Sequence, residues 1–173
     1  MRAALILALA ALAGPAAAQT SAELPRALTA CLANAGDLRG AMKALEAAGY
    51  AYTPEDFGGG PTDVLHWYAS PDKAVTVAIS FGSAHDGDHC AVIPRGVTVA
   101  QAVPYAKAAA EQVLGRRLEP GTPNIWFDDL GACVAGWTKA AGRVVQVAAA
   151  SAGQDPACDA GAPAQIMIRS GRS

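Results

Sequence analysis

The sequence predicts an α+β domain: two N-terminal helices and a largely antiparallel sheet with one further helix packed on it. Two observations predict this class. Apolar residues near the start of the chain recur at helical spacing, whereas later segments alternate apolar and polar residues as strands do. Turn-forming residues between two of the alternating segments then favour an antiparallel hairpin over a parallel crossover.

Two helices are predicted at the start of the mature chain. The first lies within residues 21–35, where apolar residues have the spacing of one helix face. These residues are Leu24, Leu28, Cys31 and Leu32. The second follows Asp37, whose side chain is suited to cap a helix, and Gly49 is placed to end it.

A third helix is predicted within residues 98–114. Thr98 is followed three positions later by Gln101, which matches the capping-box pattern of a helix start. Pro104 lacks the backbone N–H that a helix interior uses. The sequence therefore predicts either a kink at Pro104 or a helix body that begins there.

Strands are predicted from residue 63 onward. Apolar residues alternate with smaller or polar ones from Val75 to Phe81, which points one side of the strand at the core. The segment 64–69 precedes it, and Ser70-Pro71-Asp72-Lys73 between them has the composition of a tight turn. Further strands are predicted at 90–93, 125–127, 133–138, 143–149 and 165–169.

The two halves of the chain share a pattern that suggests a duplicated unit of one helix followed by three or four strands. Five residues of the first half match five of the second at nearly constant spacing. The pairs are Trp67 with Trp137, Lys73 with Arg143, Val75 with Val145, Val77 with Val147 and Cys90 with Cys158. Chance similarity in an alanine- and valine-rich chain is the alternative.

Residues 1–18 have the features of a cleaved secretory signal peptide. Arg2 precedes an apolar stretch from Ala3 to Ala13, and small residues precede the predicted cleavage before Gln19. The stretch is shorter than the roughly 20 residues that span a bilayer, and no later apolar segment is long enough to cross a membrane. We expect a single mature domain, 19–173, in the periplasm or secreted from a bacterium.

The charge of the chain argues against a nucleic-acid partner. The formal net charge is −2, and the longest basic cluster is Arg116-Arg117. Nucleic-acid-binding proteins concentrate positive charge on one face. An envelope protein or a small ligand is the expected partner.

The four cysteines are expected to form two disulfide bonds, because an exported chain meets an oxidising compartment. Of the three possible pairings, we favour Cys31 with Cys90 and Cys133 with Cys158. No two cysteines have the close spacing of a zinc framework.

The densest cluster of candidate ligands is a loop that contains His85, Asp86, Asp88 and His89. Imidazole nitrogens and carboxylate oxygens bind zinc, copper or nickel, so the loop is a candidate metal site. A solvated hairpin loop rich in turn-forming aspartate is the alternative. No resident cofactor is predicted.

Two other patterns have structural explanations that we prefer. Ser70 and Lys73 match the S-x-x-K pattern of serine acyl-transferases, but Pro71 and the flanking strands indicate a turn. The aromatic residues are numerous, and we interpret them as core, with a surface binding patch as the alternative. They are Tyr50, Tyr52, Trp67, Tyr68, Trp126 and Trp137.

The leading functional hypothesis is a non-catalytic exported protein that binds an envelope component through its sheet or loops. Each catalytic pattern in the sequence has a better structural explanation, although the sequence does not decide whether the protein is an enzyme. A metal-binding protein that uses the 85–89 loop is the first alternative, and a small hydrolase is the second.

Overall fold

Three helices and one seven-stranded antiparallel sheet form the fold, which confirms the α+β class. The computed structural model describes residues 21–60, 63–82, 88–121, 131–140, 142–153 and 156–172. The helices are α1 (Glu23–Ala33), α2 (Leu38–Ala47) and α3 (Val99–Leu114). The strands are β1 (Ala51–Asp56), β2 (Val64–Ala69), β3 (Val75–Ser80), β4 (Asp88–Pro94), β5 (Cys133–Ala140), β6 (Arg143–Ser151) and β7 (Ala164–Arg172).

The predicted helix starts are largely confirmed. Asp37 accepts a hydrogen bond from the backbone N–H of Arg39 at 3.1 Å and so caps α2. At the start of α3, the backbone N–H of Thr98 donates to Oε1 of Gln101 at 3.0 Å, as a capping box requires. Pro104 lies inside α3, so the helix begins at Val99 and not at the proline.

The strand order is β1-β2-β3-β4-β7-β6-β5, and every neighbouring pair is antiparallel. Two meanders, β2-β3-β4 and β5-β6-β7, therefore meet at the central β4–β7 pair. Each meander follows a helix in the chain, an element order that agrees with a duplicated unit.

The residue matches that suggested the duplication do not all occupy equivalent places. Cys90 lies within β4, whereas Cys158 lies in the segment before β7. Across the first hairpin Trp67 pairs with Ala78, and across the second Trp137 pairs with Gln146. The second hairpin has the shorter connection, so one constant spacing cannot align both strands of each half.

All three helices pack on one face of the sheet, and the core lies between the two layers. The predicted alternation of β3 is confirmed, since Val75, Val77 and Ile79 are buried on this face. The neighbouring strands supply further buried branched residues. They are Val92, Val145, Val147, Ile166 and Ile168.

Both favoured disulfide pairings are present. Cys31 of α1 bonds Cys90 of β4 with a Cα–Cα distance of 6.1 Å, so it fastens the helix layer to the sheet. Cys133 at the start of β5 bonds Cys158 with a Cα–Cα distance of 4.9 Å. Among the described helices, none is long and apolar enough to cross a membrane.

The edges of the sheet are protected in different ways. Strand β1 was not predicted from the sequence, and it lies at one edge, where Pro54 is tolerated and blunts further pairing. At the other edge, Glu119 and Trp137 exchange backbone hydrogen bonds of 2.7 and 2.9 Å. Gly136 permits this approach, because a Cβ there would lie 2.6 Å from the Glu119 carbonyl oxygen.

Candidate functional site

The second face of the sheet is free of the described helices, and we call it the open face. Side chains that are paired across neighbouring strands share a face, so the pairing registers identify its members. Ala91 of β4 pairs with Met167 of β7, which pairs with Ala148 of β6. Met167, Ala148 and Ala150 form a second, smaller buried cluster on this side.

A cleft of about 500 Å³ lies on the open face over the first meander, and we call it the open-face cleft. Its apolar lining comes from the end of β1 and from β2, β3 and β4. These residues are Phe57, Leu65, Trp67, Ala78, Ala91 and Ile93. Three polar side chains, Glu55, His89 and Gln165, complete the lining together with Gly153.

The rim of the cleft carries an exposed aromatic ring beside a fixed polar contact. Phe57 is 60% exposed, although its backbone N–H donates to the Asp63 carbonyl at 3.0 Å and fixes the start of the β1–β2 connection. The indole Nε1 of Trp67 donates to Oε2 of Glu55 at 2.9 Å. This hydrogen bond joins β1 to β2 and fixes the orientation of the Trp67 indole. It also occupies one of the two carboxylate oxygens of Glu55.

His89 is uncharged at neutral pH. Burial, and secondarily the positive charge of Arg169, lower the pKa of His89 to about 4. Arg169 stands directly opposite His89 on β7 and shares the open face. The cleft therefore contains the neutral imidazole of His89, and the positive charge near it is that of the Arg169 guanidinium.

The predicted metal ligands are only partly described. His85 and Asp86 lie outside the described residues. Asp88 and His89 are consecutive in β4, so their side chains point to opposite faces of the sheet. Asp88 Oδ2 pairs with Nη1 of Arg143 at 3.0 Å. Among the described residues, no three His, Cys, Asp or Glu side chains cluster to hold a metal ion, and the four-residue site stays a prediction.

The serine patterns that suggested acyl transfer have a structural role. Ser70 is buried, donates to Asp72 Oδ1 at 2.7 Å and accepts from the Val75 N–H at 3.0 Å. These bonds build the β2–β3 turn, in which Lys73 has a left-handed φ of 58°. Ser80 stands opposite His89 across β3 and β4, which makes it the described serine closest to a cleft histidine by register.

The interpretation of the aromatic residues as core is correct for part of the set. Tyr50 and Tyr68 are buried. Trp67 lines the open-face cleft, Tyr52 is 44% exposed, and Trp137 is half-buried at the other end of the sheet. Trp126 lies outside the described residues.

Sequence reasoning missed the cleft itself, although one signal for it was present. Residues 90–93 of β4 are all apolar, a pattern typical of a strand covered on both faces. Cys90 and Val92 face the helices, while Ala91 and Ile93 face the cleft. Phe57 and Glu55 gave no such signal, because they enter the cleft only through the pairing of the unpredicted β1.

Comparison of the chain with protein-family models, with curated proteins and with solved structures finds no match.

Proposed function

We propose that this protein is an exported, non-catalytic binding protein and that it binds a small, largely apolar ligand in the open-face cleft. The observation that carries the proposal is the cleft's composition. Ligand sites are typically concave, about 300–1,000 Å³ in volume and mostly apolar, with a few polar groups that fix orientation. The open-face cleft has a volume of about 500 Å³, and its described lining residues supply six apolar side chains and three polar ones.

The electrostatics of the cleft favour an uncharged ligand body. His89 is neutral because burial lowers its pKa to about 4. Among the described lining residues, Glu55 is the one acidic side chain, and it already accepts a hydrogen bond from Trp67. Because Glu55 lies on an exposed strand, an apolar ligand can cover the apolar side chains of the cleft while the Glu55 carboxylate stays hydrated.

Export is supported by the two disulfides together with the signal-peptide pattern at residues 1–18. Disulfide bonds persist in oxidising compartments and are rare in a reducing cytosol. The signal-peptide residues lie outside the described part of the chain, so this element of the proposal depends on the sequence. Detection of the mature N-terminus at Gln19 in a periplasmic or secreted fraction tests it, and an intact N-terminus in the cytosol contradicts it.

A small hydrolase is the less favoured alternative. The pairing of β3 and β4 does place Ser80 opposite His89, and an acyl-transfer site needs a serine near a histidine. However, a histidine with a pKa of about 4 is a weak general base near neutral pH. Binding explains the apolar lining, and hydrolysis does not require it.

The binding proposal is tested with N-phenylnaphthylamine, an uncharged apolar fluorophore. We expect saturable binding and expect Phe57→Ala to weaken it by about fivefold, which corresponds to about 1 kcal/mol of apolar contact. Tyr52→Ala is the matched control, because Tyr52 is also an exposed large aromatic but does not line the cleft. Equal weakening by both substitutions, or no saturable binding, contradicts the proposal.

A further inference from the structure

A second concave surface lies on the helix-covered side of the sheet, between α2 and the adjacent parts of β2 and β3. Its volume is about 440 Å³, and we call it the α2 groove. The lining consists of Arg39, Met42, Lys43, Glu46, His66 and Phe81. His66 and Trp67 are neighbours in β2 and point to opposite faces, so the α2 groove and the open-face cleft are separate sites.

Two cations stand side by side on the exposed edge of this groove. Arg39 and Lys43 are four residues apart on α2, and both are exposed. Like charges at this spacing destabilise a helix slightly. Among the described residues, no carboxylate forms a salt bridge with either of them. Within the described part of the chain, neither positive charge is therefore neutralised by a salt bridge.

Glu46 is the one carboxylate among the described residues of the groove lining, and it already accepts a hydrogen bond. Glu46 Oε1 accepts a hydrogen bond from the Tyr68 hydroxyl at 3.2 Å. Burial first, and then the Glu46 charge, raise the pKa of Tyr68, so the hydroxyl remains a donor. The described part of the groove lining therefore has two cations and one carboxylate, an excess of positive charge in a chain whose formal net charge is −2.

Aromatic rings form the wall of the groove next to these cations. The Tyr52 and His66 rings are stacked with centroids 5.9 Å apart, and the Tyr52 hydroxyl lies 3.0 Å from His66 Nδ1. The His66 and Phe81 rings are nearly perpendicular with centroids 5.7 Å apart, and the Arg39 guanidinium lies 5.3 Å from the Phe81 ring centre. These contacts hold the rings in a fixed arrangement with a cation over one of them.

We propose that the α2 groove is a second binding site and that it takes a small carboxylate with a flat apolar body. The carboxylate is recognised by the Arg39 and Lys43 cations, which supply hydrogen-bond donors as well as charge. The apolar body packs on His66, Phe81 and Met42. A ligand with only one of these two features leaves either the cations or the apolar wall without a counterpart.

The two features are separated by a pair of probes, phenylpropionate and phenylpropionamide, which differ mainly in the charged group. We expect the acid to bind with a dissociation constant of about 1 mM or tighter and the amide to bind at least about fivefold more weakly. Chemical-shift changes should centre on the Met42 methyl group and the Phe81 ring, with the Ile93 methyl groups unaffected. Equal binding of acid and amide, or shifts located elsewhere, overturns the proposal.

Charge-removing substitutions supply the second test. We expect Lys43→Gln to weaken phenylpropionate binding by about threefold to tenfold, as for a partly exposed charge-assisted contact. Lys139→Gln is the matched control, since Lys139 is an exposed lysine on the far edge strand, and it should leave binding unchanged. Circular dichroism confirms that both variants fold. Equal weakening by the two substitutions would show only nonspecific charge attraction and would reject the site.

Discussion

The two faces of the sheet are built from the same strands but from different side chains. The residues of β4 alternate between the two faces. Cys90 and Val92 face the helices and are buried, whereas Ala91 and Ile93 line the open-face cleft. The helix-covered face is filled with branched aliphatic residues beneath three helices. The open face combines alanines and a methionine with half-buried residues such as Trp67 and Ile93.

This difference separates stability from binding. A side chain that is buried between layers contributes its full transfer free energy to folding. A half-buried apolar side chain in a cleft retains part of that free energy, which becomes available when a ligand covers it. We therefore expect most of the folding free energy to come from the helix-covered core and the binding free energy of an uncharged apolar ligand to come from the open-face cleft.

Removal of the disulfide between the layers should have the largest effect on stability. Cys31 and Cys90 close a loop with a sequence separation of 59, for which the chain-entropy relation gives about 4.2 kcal/mol. The separation of 25 for Cys133 and Cys158 gives about 3.5 kcal/mol. Urea unfolding of the two double-alanine variants under non-reducing conditions measures both. A larger loss for the second pair would contradict the assigned role of the first.

A matched pair of isoleucines compares the faces directly. Ile79 is fully buried beneath the helices, so Ile79→Ala should lower the free energy of unfolding by about 2–5 kcal/mol. Ile93→Ala on the open face should cost about 1 kcal/mol, because the side chain is already partly solvated. Ile93→Ala should weaken N-phenylnaphthylamine binding, and Ile79→Ala should not if the variant remains folded. Similar losses of stability from both changes would remove the distinction between the faces.

A buried amide on the open face provides a test in the opposite direction. Gln146 is fully buried, and neither side-chain amide atom has a hydrogen-bond partner among the described residues. Gln146→Met should therefore raise the free energy of unfolding by about 1–3 kcal/mol. Gln165→Met is the control and should not stabilise, since Nε2 of Gln165 donates to the Ser151 carbonyl at 3.1 Å. A loss of stability in Gln146→Met would show that its amide is hydrogen-bonded in solution.

Protonation of His89 should have the smallest effect on the free energy of unfolding at neutral pH, and this effect should grow as the pH falls. Because the folded pKa of His89 is about 4, below the usual 6.5, the unfolded chain binds the extra proton first as pH falls. The stability due to neutral His89 is complete above about pH 6.5, declines below it, and is lost once the pH is below about 4.

The His89 contribution is isolated by comparing unfolding curves of the wild type and His89→Gln across this pH range. Between the usual histidine pKa of 6.5 and the folded pKa of about 4, the wild type should lose more stability than the variant. The effects of carboxylates that titrate in both proteins cancel in the difference. His66→Gln should have a smaller effect, since burial lowers the pKa of His66 less. Parallel curves for the wild type and His89→Gln would contradict the assigned pKa.

The strongly patterned elements of the fold were predictable from sequence. Alternation in β3 and the cap at Asp37 depend on local spacing, so they needed no tertiary information. Strand β1 was missed because Ala51–Asp56 contains a proline and two acidic residues, and it forms only by pairing with β2. The predicted strand at 125–127 lies outside the described residues.

The candidate sites were less predictable, because each one joins residues that are distant in sequence. The open-face cleft brings Phe57 next to Trp67 and His89 through strand pairing. The α2 groove brings Arg39 over Phe81 through helix packing. The predicted metal site at 85–89 depended on the local density of ligand residues in the sequence. Local density carries no information about contacts between residues that are distant in sequence.

Methyl-resolved NMR of the protein with N-phenylnaphthylamine tests the central claim most directly, because it locates the bound ligand on one face or the other. We expect the methyl resonances of Ala78, Ala91 and Ile93 to shift together and to saturate with a single dissociation constant. The methyl resonances of Ile79 and Ile168, on the helix-covered face, should remain in place. Shifts confined to the helix-covered face or to Met42, with Ala91 and Ile93 unchanged, would contradict the assignment of ligand binding to the open face.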